Sequence, residues 1–440
     1  MDFSIIREVA ISITRAVGIS AVVVPIASML HQNWLVSNDR KRLVHGLLLL
    51  ILFLAPALFT AYAYANFTGY LTWPKAARES GYSLLLIFKL LLPASLALVL
   101  LRPRISAEAQ FMLPKPTLRS HLLGAPGAKL LSGTLVFLLV FNEFEFASFF
   151  LVDAWTVKLF DAQVGGLLLS HSLRQVLIPF GVELILLIAA LRLLHWRGQF
   201  PPCAHNKKSG SKVAIILLWA GVTVIIAIPT LLMIKDLRAG FDLLTEGFII
   251  TREWSASLLF SLLAACSSYL MCTTRRAWLP LAFPGLLGTL VLGLSLLALF
   301  QAPPASRFYD TMLPLTLGLA LWVLPVGLFI RFALADRGRS AGAYLGESTR
   351  TPGKFRWTLV SRYYFVLFLV LFCLSWFDLT LSTLLAPSHF TPLPVRLYNF
   401  MHYGQSARLT AMVFVSLLTP VLLIGVTYPL ARTWILRCGN

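Results

Sequence analysis

The run Leu48-Leu49-Leu50-Ile51-Leu52-Phe53-Leu54 contains no polar side chain and no alternation of polar with apolar residues. About eleven stretches of similar character recur along the chain, each long enough to cross roughly 30 Å of hydrocarbon as a helix. They lie approximately at 16–35, 43–64, 84–101, 130–152, 176–194, 213–233, 256–272, 279–300, 312–330, 363–385 and 409–430. A backbone in lipid must satisfy its own N–H and C=O groups, which leaves helices or closed barrels. The missing two-residue period excludes barrel strands and predicts an all-α, polytopic membrane protein. Composition agrees. The 440 residues are 58% hydrophobic and only 12% charged, with mean hydropathy +0.80, far more apolar than a soluble domain of this size.

The net charge of +19 is read as topology rather than as affinity for nucleic acid, which is not expected as a partner. If the 102–129 loop is cytoplasmic and the segments alternate, that side carries almost twice as many Lys and Arg as the other. This predicts a periplasmic N-terminus and a cytoplasmic C-terminus in a bacterial inner membrane. The opening residues, Met1-Asp2-Phe3-Ser4-Ile5-Ile6-Arg7, lack the basic region and cleavage site of a signal peptide, so the first helix is expected to stay. Five cysteines show no metal-type spacing and imply no disulfide framework. Trp34, Trp73, Trp155, Trp254, Trp278 and Trp357, near segment ends, read as an interfacial belt.

Two stretches resemble each other. Phe141-Asn142-Glu143-Phe144-Glu145-Phe146 ends an apolar segment, and after a loop comes Val157-Lys158-Leu159-Phe160. Later, Trp376-Phe377-Asp378-Leu379-Thr380-Leu381 is followed by Val395-Arg396-Leu397-Tyr398. Upstream, Pro56 pairs with Pro284 and Pro93 with Pro325, and the offset drifts from 228 at the first proline pair to 238 at the Lys158–Arg396 pair. The pattern predicts two related membrane halves: residues 1–196, a Pro-, Gly-, Ser- and Lys-rich cytoplasmic linker at 197–212, and residues 213–440. The extra segment at 213–233 is assigned to the second half.

No Walker A, G-x-G-x-x-G, H-E-x-x-H or G-x-S-x-G motif is present, so neither ATP hydrolysis nor covalent catalysis is expected of this chain, nor any cofactor or metal. The costly residues are the boundary carboxylates Glu143, Glu145, Glu183 and Asp378. Glu143 and Asp378 are candidates for a translocation path or gate. The competing reading is a carboxylate hydrogen-bonded locally at a helix end, and it is preferred for Glu145 and Glu183, which have no counterpart. Pro56, Pro93, Pro284 and Pro325 each remove a backbone hydrogen bond inside an apolar segment and are expected to kink it.

Together these features resemble the permease subunits of binding-protein-dependent ABC importers, in the iron(III)/thiamine group whose two halves are fused. The segment Phe377–Leu385, then Thr391-Pro392-Leu393-Pro394-Val395-Arg396-Leu397-Tyr398, is similar to that group's fourth core helix and the periplasmic segment after it; Tyr403-Gly404-Gln405-Ser406 also fits. The resemblance implies a solute such as iron(III) or thiamine, a periplasmic binding protein that delivers it, and two copies of a separate ATPase as partners in the bilayer. It also implies a coupling loop for ATPase docking, E-A-A-x-x-x-G. The first half offers Glu108-Ala109-Gln110, followed by Pro114 and Pro116 and with no glycine in register. The second offers Ser340-Ala341 with Gly346 in register, Ser standing for Glu. This erosion supports an alternative, a permease-derived scaffold or regulatory protein without coupled transport. An ion- or proton-driven carrier using Glu143 and Asp378 is a third reading.

Overall fold

A computed structural model describes residues 3–36, 39–69, 72–100, 118–196, 212–245, 249–274, 280–338 and 361–438. All regular structure among the described residues is helical. Six helices are long and apolar enough to cross a membrane, or up to nine if three sharply bent helix pairs each count as one span; two shorter apolar helices, 128–141 and 363–376, stand apart. The chain forms two compact units, Met1–Thr230 and Leu231–Asn440.

The first unit comprises α1 (Phe3–Val36), α2 (Asp39–Leu54), α3 (Ala57–Phe67), α4 (Lys75–Lys89), α5 (Leu91–Leu100), α6 (Leu118–Phe141), the short α7 (Glu145–Phe149), α8 (Trp155–Val164), α9 (Leu169–Trp196) and α10 (Lys212–Val222). At its centre α1, α5 and α6 pack on one another. Ala16 and Ala27 of α1 and Ala94 and Ala97 of α5 are fully buried. Small side chains let helix backbones approach, which matters in lipid because apolar burial alone gives no preference for protein over acyl chains. Ser132 of α6 adds a hydrogen bond to the carbonyl of Ala94, at 3.0 Å.

The helix breaks have local causes. Pro56 has no N–H to donate, and α2 and α3 meet at 66°. The Lys89 ammonium donates to the carbonyl of Ala55 at this break, at 3.2 Å, and lies 4.6 Å from the Phe146 ring centre. α4 and α5 bend by 41° just before Pro93. After α10 the chain makes one π-turn, Thr223–Ala227. Pro229 cannot bond to the carbonyl of Ile225, and Thr60 supplies the missing donor at 3.2 Å, while the Tyr64 hydroxyl donates to Val224 at 2.7 Å. Residues 212–230 therefore pack with the first unit, and the division between units falls inside the helical run 212–245, later than the 197–212 linker.

The second unit begins within α11 (Ile228–Thr245) and continues with α12 (Ile249–Thr274), α13 (Phe283–Leu286), α14 (Gly288–Gln301), α15 (Leu313–Gly338), α16 (Arg362–Trp376), the short α17 (Thr380–Leu385), α18 (Leu393–His402) and α19 (Ser406–Cys438). Here α12, α15 and α16 form the central group. Ser268 of α12 donates to the carbonyl of Ala320 on α15, at 2.7 Å. α13 and α14 meet at 113°, with Gly288 at φ +81° completing the turn. Pro325, by contrast, sits inside the uninterrupted helix α15. It frees the carbonyl of Leu321, and Gly285 of α13 lies against that oxygen.

Some expectations are corrected. α1 starts at Phe3 rather than near residue 16, so Glu8, Ser12 and Arg15 are helical and Arg15 lies within the apolar span Ile5–His31. Trp155 is fully buried in the protein and is not an interfacial residue.

Candidate functional site

Glu143 and Asp378 occupy the same kind of place in their respective units. Each follows an apolar helix, α6 or α16, and precedes a short one, α7 or α17. A helix start leaves N–H groups without partners, and a nearby side-chain oxygen can accept them. Glu143 Oε1 accepts the N–H of Phe146 at 3.0 Å; Asp378 Oδ1 accepts the N–H of Leu381 at 2.8 Å. Both carboxylates thus receive an amide three residues later. Asp378 is 6% exposed and Glu143 is half-buried. This local bonding accounts for two acidic groups at apolar helix ends and gives each a helix-starting task.

The segments after these breaks are tied back in parallel ways. In the first unit the Ser12 hydroxyl of α1 accepts the N–H of Trp155, the first residue of α8, at 3.4 Å. In the second, the Ser257 hydroxyl of α12 accepts the N–H of Leu393, the first residue of α18, at 2.6 Å. The Trp155 indole also donates to the carbonyl of Phe141 at 2.8 Å; in the second unit the Trp376 indole, at the end of α16 before the break, donates to that of Ser416 at 3.1 Å. Ser12 and Ser257 were missed as sequence candidates. A signal was present: Arg7-Glu8-Val9-Ala10-Ile11-Ser12 and Arg252-Glu253-Trp254-Ser255-Ala256-Ser257 share Arg-Glu followed by Ser in register.

The charged groups nearby are mostly paired. The Arg15 guanidinium donates to both Glu79 carboxylate oxygens, at 3.0 and 2.8 Å, and to the carbonyl of Asp153 at 2.9 Å, with the Tyr82 ring 5.2 Å away. It borders an open cleft of about 450 Å³ lined also by Ala10, Ile11 and Thr14. An arginine so occupied joins α1 to α4 and to the segment before α8. In the second unit Arg396 stands 3.7 Å from buried Glu253 and over the Phe400 ring. Asp310, outside the apolar spans, accepts the Ser388 N–H at 2.7 Å and its hydroxyl at 2.8 Å. These bonds, with His389 beside them, hold its carboxyl below the ordinary aspartate range.

Of the other predicted residues, Pro56 and Pro284 lie at sharp helix breaks, Pro93 just after one, and Pro325 inside a continuous helix. Glu108, Ala109, Ser340, Ala341 and Gly346 lie outside the described residues. No group of three or more His, Cys, Asp or Glu side chains able to hold a metal occurs among the described residues. Comparison with family models, curated proteins and solved structures finds no match.

Proposed function

We propose that the chain is the membrane-spanning permease subunit of an ABC importer, built from two repeated halves. In this reading a periplasmic binding protein delivers a small solute, iron(III), thiamine or a similar compound. A separate pair of ATPase subunits drives alternating access. The three bent pairs and the two shorter apolar helices each act as one span, making eleven, with the N-terminus periplasmic and the C-terminus cytoplasmic.

The observation that carries this reading is the shared packing scheme of the two units. α1 packs on α5, α6 and α8 as α12 packs on α15, α16 and α18. α3 meets α7 as α14 meets α17, and α9 meets α6 and α8 as α19 meets α16 and α18. The paired carboxylate caps and paired serine bonds fall at matching points of the scheme. Chance agreement of the prolines alone would not extend to these contacts. Repeated halves of helical membrane proteins are a common basis for transport by alternating access.

The eroded coupling sequences favour one other reading, a permease-derived scaffold or regulator. Pro114 and Pro116 interrupt the first loop, and Ser340 stands where a glutamate is expected. A pull-down from native membranes separates the two. An importer subunit retains an ATPase, and Gly346→Arg weakens that retention more than Gln110→Arg. Absence of any ATPase favours the scaffold.

A further inference from the structure

Glu183 lies in the middle of α9, in the apolar span 169–190, and its side chain is 0% exposed. Neither of its carboxylate oxygens accepts a hydrogen bond. The side-chain oxygen of Asn142, at the end of α6, is also buried and also lacks a donor. Asn142 is the polar side chain beside Glu183. The two carboxylate oxygens and the Asn142 oxygen are three buried acceptors without a hydrogen-bond donor. An ionised carboxylate accepts only, so it cannot repair this arrangement, and burying its charge unpaired is strongly unfavourable.

One proton repairs it. A protonated Glu183 gains an O–H that can donate to the Asn142 oxygen, and its second oxygen remains free to accept from the Asn142 amide. Both side chains are then neutral and bonded. A hard metal cation would need a larger set of oxygen ligands, and no cluster of acidic or other metal-binding side chains surrounds the site among the described residues. The helices packed on α9 are α1, α6 and α8. Their described charged groups are Arg7, Glu8 and Arg15 on α1, Lys129 on α6, and Lys158 and Asp161 on α8, and none of them hydrogen-bonds Glu183.

We propose that Glu183 is a proton-binding site, holding one proton that it shares with Asn142 and so latching α9 to the end of α6. Asn142 immediately precedes the carboxylate cap at Glu143, so the latch acts on the helix break that positions α7. The site stands independently of the importer reading.

Infrared spectroscopy of the full chain in lipid nanodiscs tests this. At neutral pH the unmodified protein shows a protonated-carboxyl C=O band that moves in D2O and is missing from Glu183→Gln. Asn142→Leu shifts the band to higher frequency, because the acid loses its acceptor. If Glu183→Gln does not fold, the Asn142→Leu comparison decides, and an unmoved band overturns the proposal. Spectra of the unmodified protein and Glu183→Gln that superpose in this region would also overturn it. So would a sodium- or potassium-dependent rise in unfolding temperature that Glu183→Gln abolishes, since the occupant would then be a cation.

Discussion

Gly285 lies so close to the carbonyl oxygen of Leu321 that the first carbon of any side chain at position 285 would stand 2.1 Å from it. That oxygen is the one Pro325 leaves without its helical partner. The turn between α13 and α14 thus seals the gap that the proline opens in α15. Gly285→Ala forces backbone apart and is expected to destabilise the second unit by about 1–3 kcal/mol. Gly425→Ala, where a Cβ meets open space, is the control and is expected to be tolerated. Chemical unfolding in detergent measures both.

The carboxylate caps predict a distinctive substitution pattern. Asn caps a helix start nearly as well as Asp, whereas Ala cannot. Asp378→Asn should therefore stay near the unmodified stability, and Asp378→Ala should lose about 0.5–2 kcal/mol. Were the negative charge itself required for a path or gate, Asn and Ala variants would be equally impaired in transport. Comparing the two variants by unfolding and by uptake separates cap from path.

Ser257→Ala leaves the N–H of Leu393 buried without its acceptor. The expected loss is about 1–3 kcal/mol. Ser12→Ala should cost less, since the bond to Trp155 is longer, 3.4 against 2.6 Å. Unfolding of both variants under one condition checks the order, and a larger loss at Ser12 would contradict it.

The Asp310–Ser388 tie predicts a pH response. The folded carboxyl titrates below its ordinary value because the Ser388 N–H and hydroxyl favour the charged form. The tie is fully present above the ordinary aspartate value, about pH 4, and is lost as pH falls through the lowered one. Hydrogen exchange at the Ser388 amide should accelerate, relative to unstructured amides, only at that acidic end. Asp310→Asn should remove this dependence.

Much of the architecture was legible because long, uninterrupted apolar runs restrict what the chain can form. Uninterrupted apolar runs can only be helices, and prolines mark where such helices lose a hydrogen bond. The consequences of each proline were less legible. Pro56 accompanies a 66° bend and Pro325 no break, and the freed carbonyl at Leu321 faces a glycine remote in sequence. Ser12 and Ser257 escaped notice because one hydroxyl in an apolar helix resembles any other until its partner is known. Trp155 stands near a segment end, as interfacial tryptophans do, and only tertiary packing puts it in the core. Glu183 has no counterpart in the other half of the sequence; its burial with both oxygens unpaired is a property of the fold.

The proposed orientation rests on the bias of Lys and Arg between the two sides and is tested by labelling. A cysteine placed at Ser209 should resist impermeant thiol reagents in intact cells and react after the membrane is opened. Labelling from outside would invert the topology.

Two repeated halves forming the membrane path of an ATP-driven importer, as proposed, must couple solute delivery to ATP hydrolysis. The most direct test is ATP hydrolysis by liposomes holding this chain with the ATPase recovered from native membranes, measured with and without the loaded binding protein inside the same assay. Hydrolysis should rise when loaded binding protein is added and fall back with Gly346→Arg. An ATPase that never associates, or hydrolysis indifferent to the binding protein, would contradict the proposal.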